Sequence, residues 1–391
     1  MKITIWLSLF IVFYTFMGYG IFLYFLIKIK RILNGKPVSP QADFNNLPNC
    51  TLVVAAYNEE SFIGQKIENC LKLNYPEGKL KLVFITDGSN DKTPEIISWY
   101  PQIQLLHQAA RGGKIAAVHR AMTFIDTDTV VFTDANTFLN PDAIIKICRH
   151  YADDTVGAVA GEKRVQIEAT ADASSAGEGF YWKYESTLKK WDSELYSVVG
   201  AAGELFSVRR ALYQDVEPDT VLDDFMISML IAAKGYRIVY EPEAYAMETA
   251  SENVSEELKR KIRIAAGGIQ SILRLKKLLN PFKYPVLSFQ YMSHRVLRWT
   301  ITPFLLILSL IVNFILVIDD HETTYLLLLI AQITFYILAF SGFVMEKRQI
   351  RIKALFIPYY FCVMNYAVLM GIIRYFTTQQ SAIWEKAQRK Q

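Results

Sequence analysis

Phe84-Ile85-Thr86-Asp87-Gly88-Ser89 and Val131-Phe132-Thr133-Asp134-Ala135-Asn136 bracket the 48 residues from Asp87 to Asp134, with the basic turn Arg111-Gly112-Gly113-Lys114 between them. In each hexapeptide a run of β-branched and aromatic residues ends in a carboxylate and then in turn formers. Both carboxylates are therefore expected to project from strand C-termini, the rim at which open α/β sheets bind ligands. Two acids and one cation converging there suit a metal-bound phosphate ester.

Strand and helix signals alternate on either side of this stretch. Strands are expected at 51–55, 80–86, 103–107 and 129–133, and helices at 59–73, 93–100, from 114 to about 125, and from Asn140-Pro141 to 151. Alternation of this kind predicts an α/β domain with a parallel, helix-covered sheet. The second half is less regular, with strands at 156–160, 205–209 and 237–240. Helical signals cover 168–188, which holds a small-residue run at 169–179, then 221–234 and a long basic stretch at 256–279 leading to the membrane.

Apolar residues make up 52% of the 391, and their excess is concentrated at the ends. Residues 3–27 carry no charge, enough for a helix to cross a ~30 Å hydrocarbon core. The run exceeds the ~7–15 residues of a signal-peptide core and no small-residue cleavage motif follows it, so an uncleaved anchor is expected. Three more apolar segments lie at about 299–318, 323–345 and 354–373. The formal charge of +4 lacks the concentrated basic face of a nucleic-acid binder. The predicted organisation is an anchor at 1–30, a linker at 31–49, an α/β domain at 50–280, an interfacial segment at 281–298, a membrane region at 299–376 and a basic tail at 377–391.

Lysines and arginines beside the spans set orientation. Lys28, Lys30, Arg31 and Lys36 follow the first span, Arg295 and Arg298 precede the second, and Lys347, Arg348, Arg351 and Lys353 separate the third from the fourth, whereas Asp319-Asp320-His321-Glu322 has neither residue type. This places the N-terminus outside and the middle domain in the cytoplasm, at a plasma (inner) membrane. One feature conflicts: strict alternation puts the tail outside, yet it carries Lys386, Arg389 and Lys390. Cys50, Cys70, Cys148 and Cys362 have no metal-ligand spacing and are expected to be reduced.

Asp134 and Asn136 stand two apart at a strand end, where alternate residues point the same way, and Mg2+ or Mn2+ prefers oxygen ligands. Lys114 opens a helix after two glycines, so its amine and the free backbone N–H groups present positive potential to a phosphate. Asn58 is a good N-cap for the helix after the first strand, while Tyr57 could stack on a base and Glu59 accept from it. Asp223-Asp224 begins another helix. Because successive helical residues diverge by ~100°, only one of the pair is expected to face the rim, as a general base. Arg260 and Arg263, three apart, share a helix face toward a leaving diphosphate or lipid headgroups.

Val53-Val54-Ala55-Ala56-Tyr57-Asn58-Glu59, Asp87-Gly88-Ser89, Arg111-Gly112-Gly113-Lys114, Asp134-Ala135-Asn136, Gly200-Ala201-Ala202-Gly203 and Asp223-Asp224 together resemble the ordered signature of glycosyltransferase family 2. The resemblance is to its membrane-embedded branch, which includes the poly-N-acetylglucosamine, hyaluronan and cellulose synthases. It implies a GT-A (Rossmann-like) fold, a nucleotide-sugar donor (most often a UDP-sugar), a divalent metal, and a saccharide or lipid-linked acceptor. By the resemblance Ala55, Tyr57, Glu59 and Asp87 would bind the donor's nucleoside end, Lys114 would sit near the uracil or diphosphate, and Arg260 and Arg263 would lie nearer the diphosphate. Asp134 with Asn136 would hold the metal, Asp224 beside Asp223 would be the base, and Gly203 and Glu204 would lie near the acceptor. Two departures stand out: the family's Asp-x-Asp is Asp-x-Asn here, and its Gln-x-x-Arg-Trp aligns only as Arg260-Lys261-Ile262-Arg263-Ile264. The alternatives from the sequence are a catalytically degenerate scaffold or channel component of a polysaccharide export system, and a nucleotidyltransferase on a similar sheet.

Overall fold

The structure is a computed structural model and describes residues 1–38, 40–166, 173–249, 254–348, 350 and 352–378. The described residues form two compact units. One comprises those within Ile27–Gln166 and Lys189–Glu252, the other those within Met1–Leu26, Ile167–Leu188 and Asn253–Gln379.

The first unit holds strands β1 (Cys50–Ala56), β2 (Leu80–Asp87), β3 (Gln104–Gln108), β4 (Thr129–Asp134), β5 (Thr137–Leu139), β6 (Val156–Gln166), β7 (Leu205–Arg209) and β8 (Arg237–Thr249). Its helices are α1 (Ile63–Leu71), α2 (Thr93–Ser98), α3 (Lys114–Met122), α4 (Ala143–Cys148) and α5 (Asp223–Ala233). The strands form one sheet in the order β3-β2-β1-β4-β7-β6-β8-β5. β1 is apolar apart from Thr51 and is buried along nearly its whole length, as a parallel strand flanked on both sides requires. Leu52, Val54, Phe84 and Val131 from the sheet meet Ile63 and Ile67 of α1 in the main core.

The sheet is mixed rather than parallel throughout. β3, β2, β1 and β4 run parallel, but β7 is antiparallel to both β4 and β6, and β5 is antiparallel to β8. Strand composition does not encode direction; the long excursion between β6 and β7 reverses the chain. Two strands also outrun their sequence signals. β8 continues past Glu241-Pro242, where the sequence reads as a stop, because the register shift opposite Gly161 and Glu162 leaves Pro242, Glu243 and Ala244 in a bulge. Gly161 is required there: a Cβ would lie 2.7 Å from Leu205 Cδ2 and 2.9 Å from the Ala244 carbonyl oxygen.

Helices Lys2–Asn34, which belongs to the second unit as far as Leu26, Thr302–Asp320, Thr323–Lys347 and Ala354–Thr377 are long and apolar enough to cross a membrane, matching the four apolar runs of the sequence. Lys2 Nζ lies 3.1 Å from Asp320 and 2.7 Å from Glu322, so the N-terminus and the 319–322 loop share one end. Ile5, Val312, Leu316 and Tyr325 form a core between those helices. Residues 173–188 and 254–279, expected within the α/β domain, group with these helices by contact. Lys386, Arg389 and Lys390 lie outside the described residues.

Gly161→Val should lower stability by about 1–3 kcal/mol, the usual cost of overpacking. Thermal unfolding in nanodiscs checks this: an unchanged midpoint would show that the bulge tolerates a side chain.

Candidate active site

The parallel register brings the expected strand ends level. Ala55 of β1 lies opposite Asp134 of β4, and Ala56 lies opposite Thr86, one residue before Asp87. Beyond β4 the odd and even positions separate: Asp134, Asn136 and Phe138 are partly exposed while Ala135, Thr137 and Leu139 are buried. Asp134 and Asn136 therefore share the open face.

Asp87 is nearly buried, 5% exposed. Its Oδ2 accepts from the N–H groups of Gly112 (2.9 Å) and Gly113 (2.6 Å). Those two N–H groups are thus committed to Asp87 and are not free for phosphate, a correction to the expectation from sequence. Gly113 takes φ +94°, a conformation that lets the turn bend back to the carboxylate. Asp87 Oδ1 is buried with no hydrogen-bond partner, 3.7 Å from Arg120 Nη1. Beside it the Arg111 guanidinium stacks 3.7 Å from the Tyr57 ring centroid, a cation–π contact. Arg111 stood in the quoted basic turn but had no role assigned; the signal was its place after a strand edge and before Gly-Gly-Lys.

Asn58 is not the N-cap of α1. It adopts φ +52° and interlocks with the turn after β2, donating to Asn90 Oδ1 (2.7 Å) and accepting from the Asn90 N–H (3.0 Å). The helix consequently begins only at Ile63. The Glu59 N–H donates to Thr93 Oγ1.

At the other end of the rim, Lys114 Nζ donates to Asp134 Oδ1 at 2.7 Å and lies 4.0 Å from Asp223 Oδ2. A Cβ added at Gly203 would meet Asp224 Oδ2 at 3.3 Å and Lys114 Nζ at 3.5 Å. Asp223 thus approaches Lys114, while Asp224 Oδ2, at the next position of α5, lies with the Lys114 amine against the bare face of Gly203. Burial works against the charge on Lys114, but Asp134 and Asp223 outweigh it and hold the ammonium above the usual lysine range. Burial, and then the neighbouring Asp223 carboxylate, push Asp224 up to about 7, with Lys114 opposing the shift.

Glu204 is turned elsewhere. Its Oε1 accepts from Lys163 Nζ at 2.6 Å, and Lys163 also pairs with Glu248. Arg260 and Arg263 stand on helix Val254–Arg274 of the other unit, where Arg260 Nη1 lies 3.8 Å from Glu257.

Among the described residues no three Asp, Glu, His or Cys side chains form a complete metal cage. Mg2+ at nucleotide sites uses one or two carboxylates and lets phosphates complete its shell. The hard Asp134 oxygen already faces a cation, Lys114, and the side-chain-free face of Gly203 leaves space beside the Lys114 amine. The residues fit such an ion.

A mixed sheet with an acid-lined strand rim of this form is a GT-A fold, and residues 51–217 match the family model described as glycosyl transferase family 2. That match covers less than half of the chain. Over 265 residues it is 28% identical to the poly-beta-1,6-N-acetyl-D-glucosamine synthase of Staphylococcus aureus (strain COL) and 24% identical to that of Staphylococcus epidermidis. Each alignment covers 65% of this chain, and the chain spans 62% of the length of those relatives. Among solved structures, the mannosyltransferase PcManGT from Pyrobaculum calidifontis, in complex with GDP-Man and Mn2+, superposes with a TM-score of 0.69 at 22% identity, over 96% of this chain and 99% of that one. The four apolar helices, taken with these relatives, make this an integral membrane protein.

A carboxyl whose folded value lies above its unfolded one holds an extra proton when folded, so stability falls as pH rises through the window between them. For Asp224 that window runs from 3.8 to about 7. Asp224→Asn should therefore raise the melting temperature more at pH 8.5 than at pH 5.5, as scanning fluorimetry would show. An equal gain at both pH values would contradict the raised Asp224.

Proposed function

We propose that the protein is a membrane-bound inverting glycosyltransferase that moves a sugar from a nucleotide-sugar, most simply a UDP-sugar, to a growing polysaccharide or lipid-linked saccharide. The observation that carries this is the convergence of Asp134 and Asp223 on Lys114, with Lys114 and Asp224 together flanking the bare face of Gly203. In this reading Tyr57, backed by Arg111, offers a face to the nucleobase, and the unpartnered Asp87 Oδ1 accepts one of its N–H groups. Asp134 with Asn136 would hold Mg2+ or Mn2+, which when bound neutralises charge on the leaving diphosphate. Lys114 adds a second positive charge within reach of the same phosphates.

Asp224 is the general base. It takes the proton from an acceptor hydroxyl as that oxygen bonds to the anomeric carbon and the nucleoside diphosphate leaves from the opposite face. A value near 7 suits this work at neutral pH. Gly203 leaves the acceptor room beside the base. Ile27–Gln166 and Lys189–Glu252 would form the catalytic domain, facing the cytoplasm from the plasma membrane in keeping with the positive charges beside the spans. Arg260 and Arg263 are proposed to meet the diphosphate end or lipid headgroups.

The test is release of nucleoside diphosphate by the full chain in nanodiscs, screening UDP-, GDP- and dTDP-sugars with Mn2+ or Mg2+ and membrane lipid extract. One donor should turn over, with EDTA or Asp134→Ala abolishing release. Asp224→Asn should cost ~10²–10⁴-fold in turnover and leave donor binding intact. In the wild type kcat/KM should rise with pH to a plateau, with a midpoint near about 7. No release from any donor would overturn the reading in favour of a non-catalytic scaffold.

A further inference from the structure

Lys66 is a lysine where α1 should be apolar. It shares the buried stripe of Ile63, Ile67 and Cys70 and is 0% exposed. A charge so placed is costly unless it is fully hydrogen-bonded, and its partners are specific. Nζ donates to the Thr137 carbonyl at 2.6 Å and to Thr133 Oγ1 at 3.2 Å. These residues flank Asp134-Ala135-Asn136 on either side. The two threonines carry the grip onward. Thr133 Oγ1 donates to the Glu204 carbonyl (2.9 Å), and Thr137 Oγ1 donates to the Asp134 carbonyl (3.0 Å). With both hydroxyl hydrogens spent on carbonyls, the Thr133 oxygen is left to accept from an ammonium.

One turn along α1, Asn69 completes the arrangement. Its Nδ2 donates to the Leu139 carbonyl and its Oδ1 accepts the Leu139 N–H, each at 2.8 Å. Thr137 and Leu139 are two residues apart, so their backbone groups share one edge of β5. β5 is the last strand of the sheet and pairs with β8 on its other side. Lys66 and Asn69 thus stand where a ninth strand would, and hold the short strand that the Asp134 turn runs into.

We propose that Lys66, assisted by Asn69, is a positioning residue for the divalent-ion and diphosphate end of the site: it clamps the Asp134–Asn136 turn and, through Thr133, ties that turn to Gly203-Glu204. The proposal rests on the reading of the site given above. Groups that orient metal ligands typically matter ~10–100-fold in metal affinity, and Lys66 acts on backbone and hydroxyl groups around Asp134 without touching substrate.

The test uses the full chain in nanodiscs with Lys66→Met, Thr133→Val and Thr133→Ser. Hydrogen–deuterium exchange without nucleotide or metal should show amides of 134–139 exchanging at least ~10-fold faster in the first two variants, the loss of protection expected when a local clamp opens. Peptides of β1 and β2 should be unchanged, and Thr133→Ser, which keeps the hydroxyl, should match wild type. Mn2+ binding in the presence of UDP, read from loss of the free-ion EPR signal, should weaken ~10–100-fold in Lys66→Met and Thr133→Val, with the Mn2+ needed for half-maximal transfer rising in parallel. Unchanged exchange at 134–139 overturns the proposal, as does faster exchange with Mn2+ affinity intact. Thr133→Ser behaving like Thr133→Val overturns it too, since packing rather than the hydroxyl would then be at work. If Lys66→Met fails to fold, the Thr133 pair carries the test. Exchange and EPR need no turnover, so a protein that transfers no sugar would fail the functional reading while these two measurements still decide the clamp.

Discussion

Two residues link β4 to β5, yet the two strands stand four places apart in the sheet. At ~4.8 Å per strand a flat sheet would separate them by roughly 19 Å, whereas three Cα steps of ~3.8 Å reach about 11 Å at most. The sheet must therefore curl until its far edge comes back beneath its centre. The bulge at Pro242–Ala244 is where β8 accommodates this, since only its residues after the bulge pair with β5. Asp134 sits at the mouth of the closure, which explains why a ligand-facing carboxylate is backed by so dense a hydrogen-bond network. The turn that carries it is also the seam that holds the curl.

The acid cluster follows from the same geometry. Curling brings the end of β4, the start of α3 and the start of α5 to one place, so Asp134, Asp223 and Asp224 meet around Lys114. Carboxylates this close cannot all be charged without compensation. The structure resolves the conflict unequally: Lys114 is spent chiefly on Asp134, and Asp224, beside Asp223 and shielded from water, is left with the raised value. One arrangement thus gives two carboxylates two characters, an ion-paired acid at the strand end and an acid poised near neutrality at the helix start.

Much of this was legible in the sequence because strand ends are written locally. β-Branched runs closing in Asp87 and Asp134 located the rim, and the two parallel strands beside β1 followed from alternation. What was not legible is non-local. A three-residue strand has too little pattern to register, and Pro242 reads as a terminator until its partner strand shows that it lies in a bulge. Lys66 reads as a solvent-facing lysine on an amphipathic helix, since a buried ammonium is recognisable only from the carbonyl that faces it. Asn58 misled for a similar reason: its side chain suits a helix cap, but the turn after β2 competes for it and wins two hydrogen bonds.

The second unit applies the same rule to a buried charge. Glu185 is 3% exposed. Its carboxylate lies 2.9 Å from Arg295, 2.9 Å from Arg298 and 3.1 Å from His294. Burial alone would raise Glu185, but Arg295, His294 and Arg298 outweigh it and hold the carboxyl well below its usual range. A lone buried carboxylate would be several kcal/mol unfavourable, roughly the effective penalty for a buried ion. Removing one cation would restore part of that cost. The cluster joins residues 183–188 of helix Ala173–Leu195 to the segment just before Thr302–Asp320, whose basic residues also contribute the charge asymmetry read from the sequence. The arginines that read from the sequence only as orientation signals are therefore structural as well: their charge is held in place by an acid more than a hundred residues earlier in the chain.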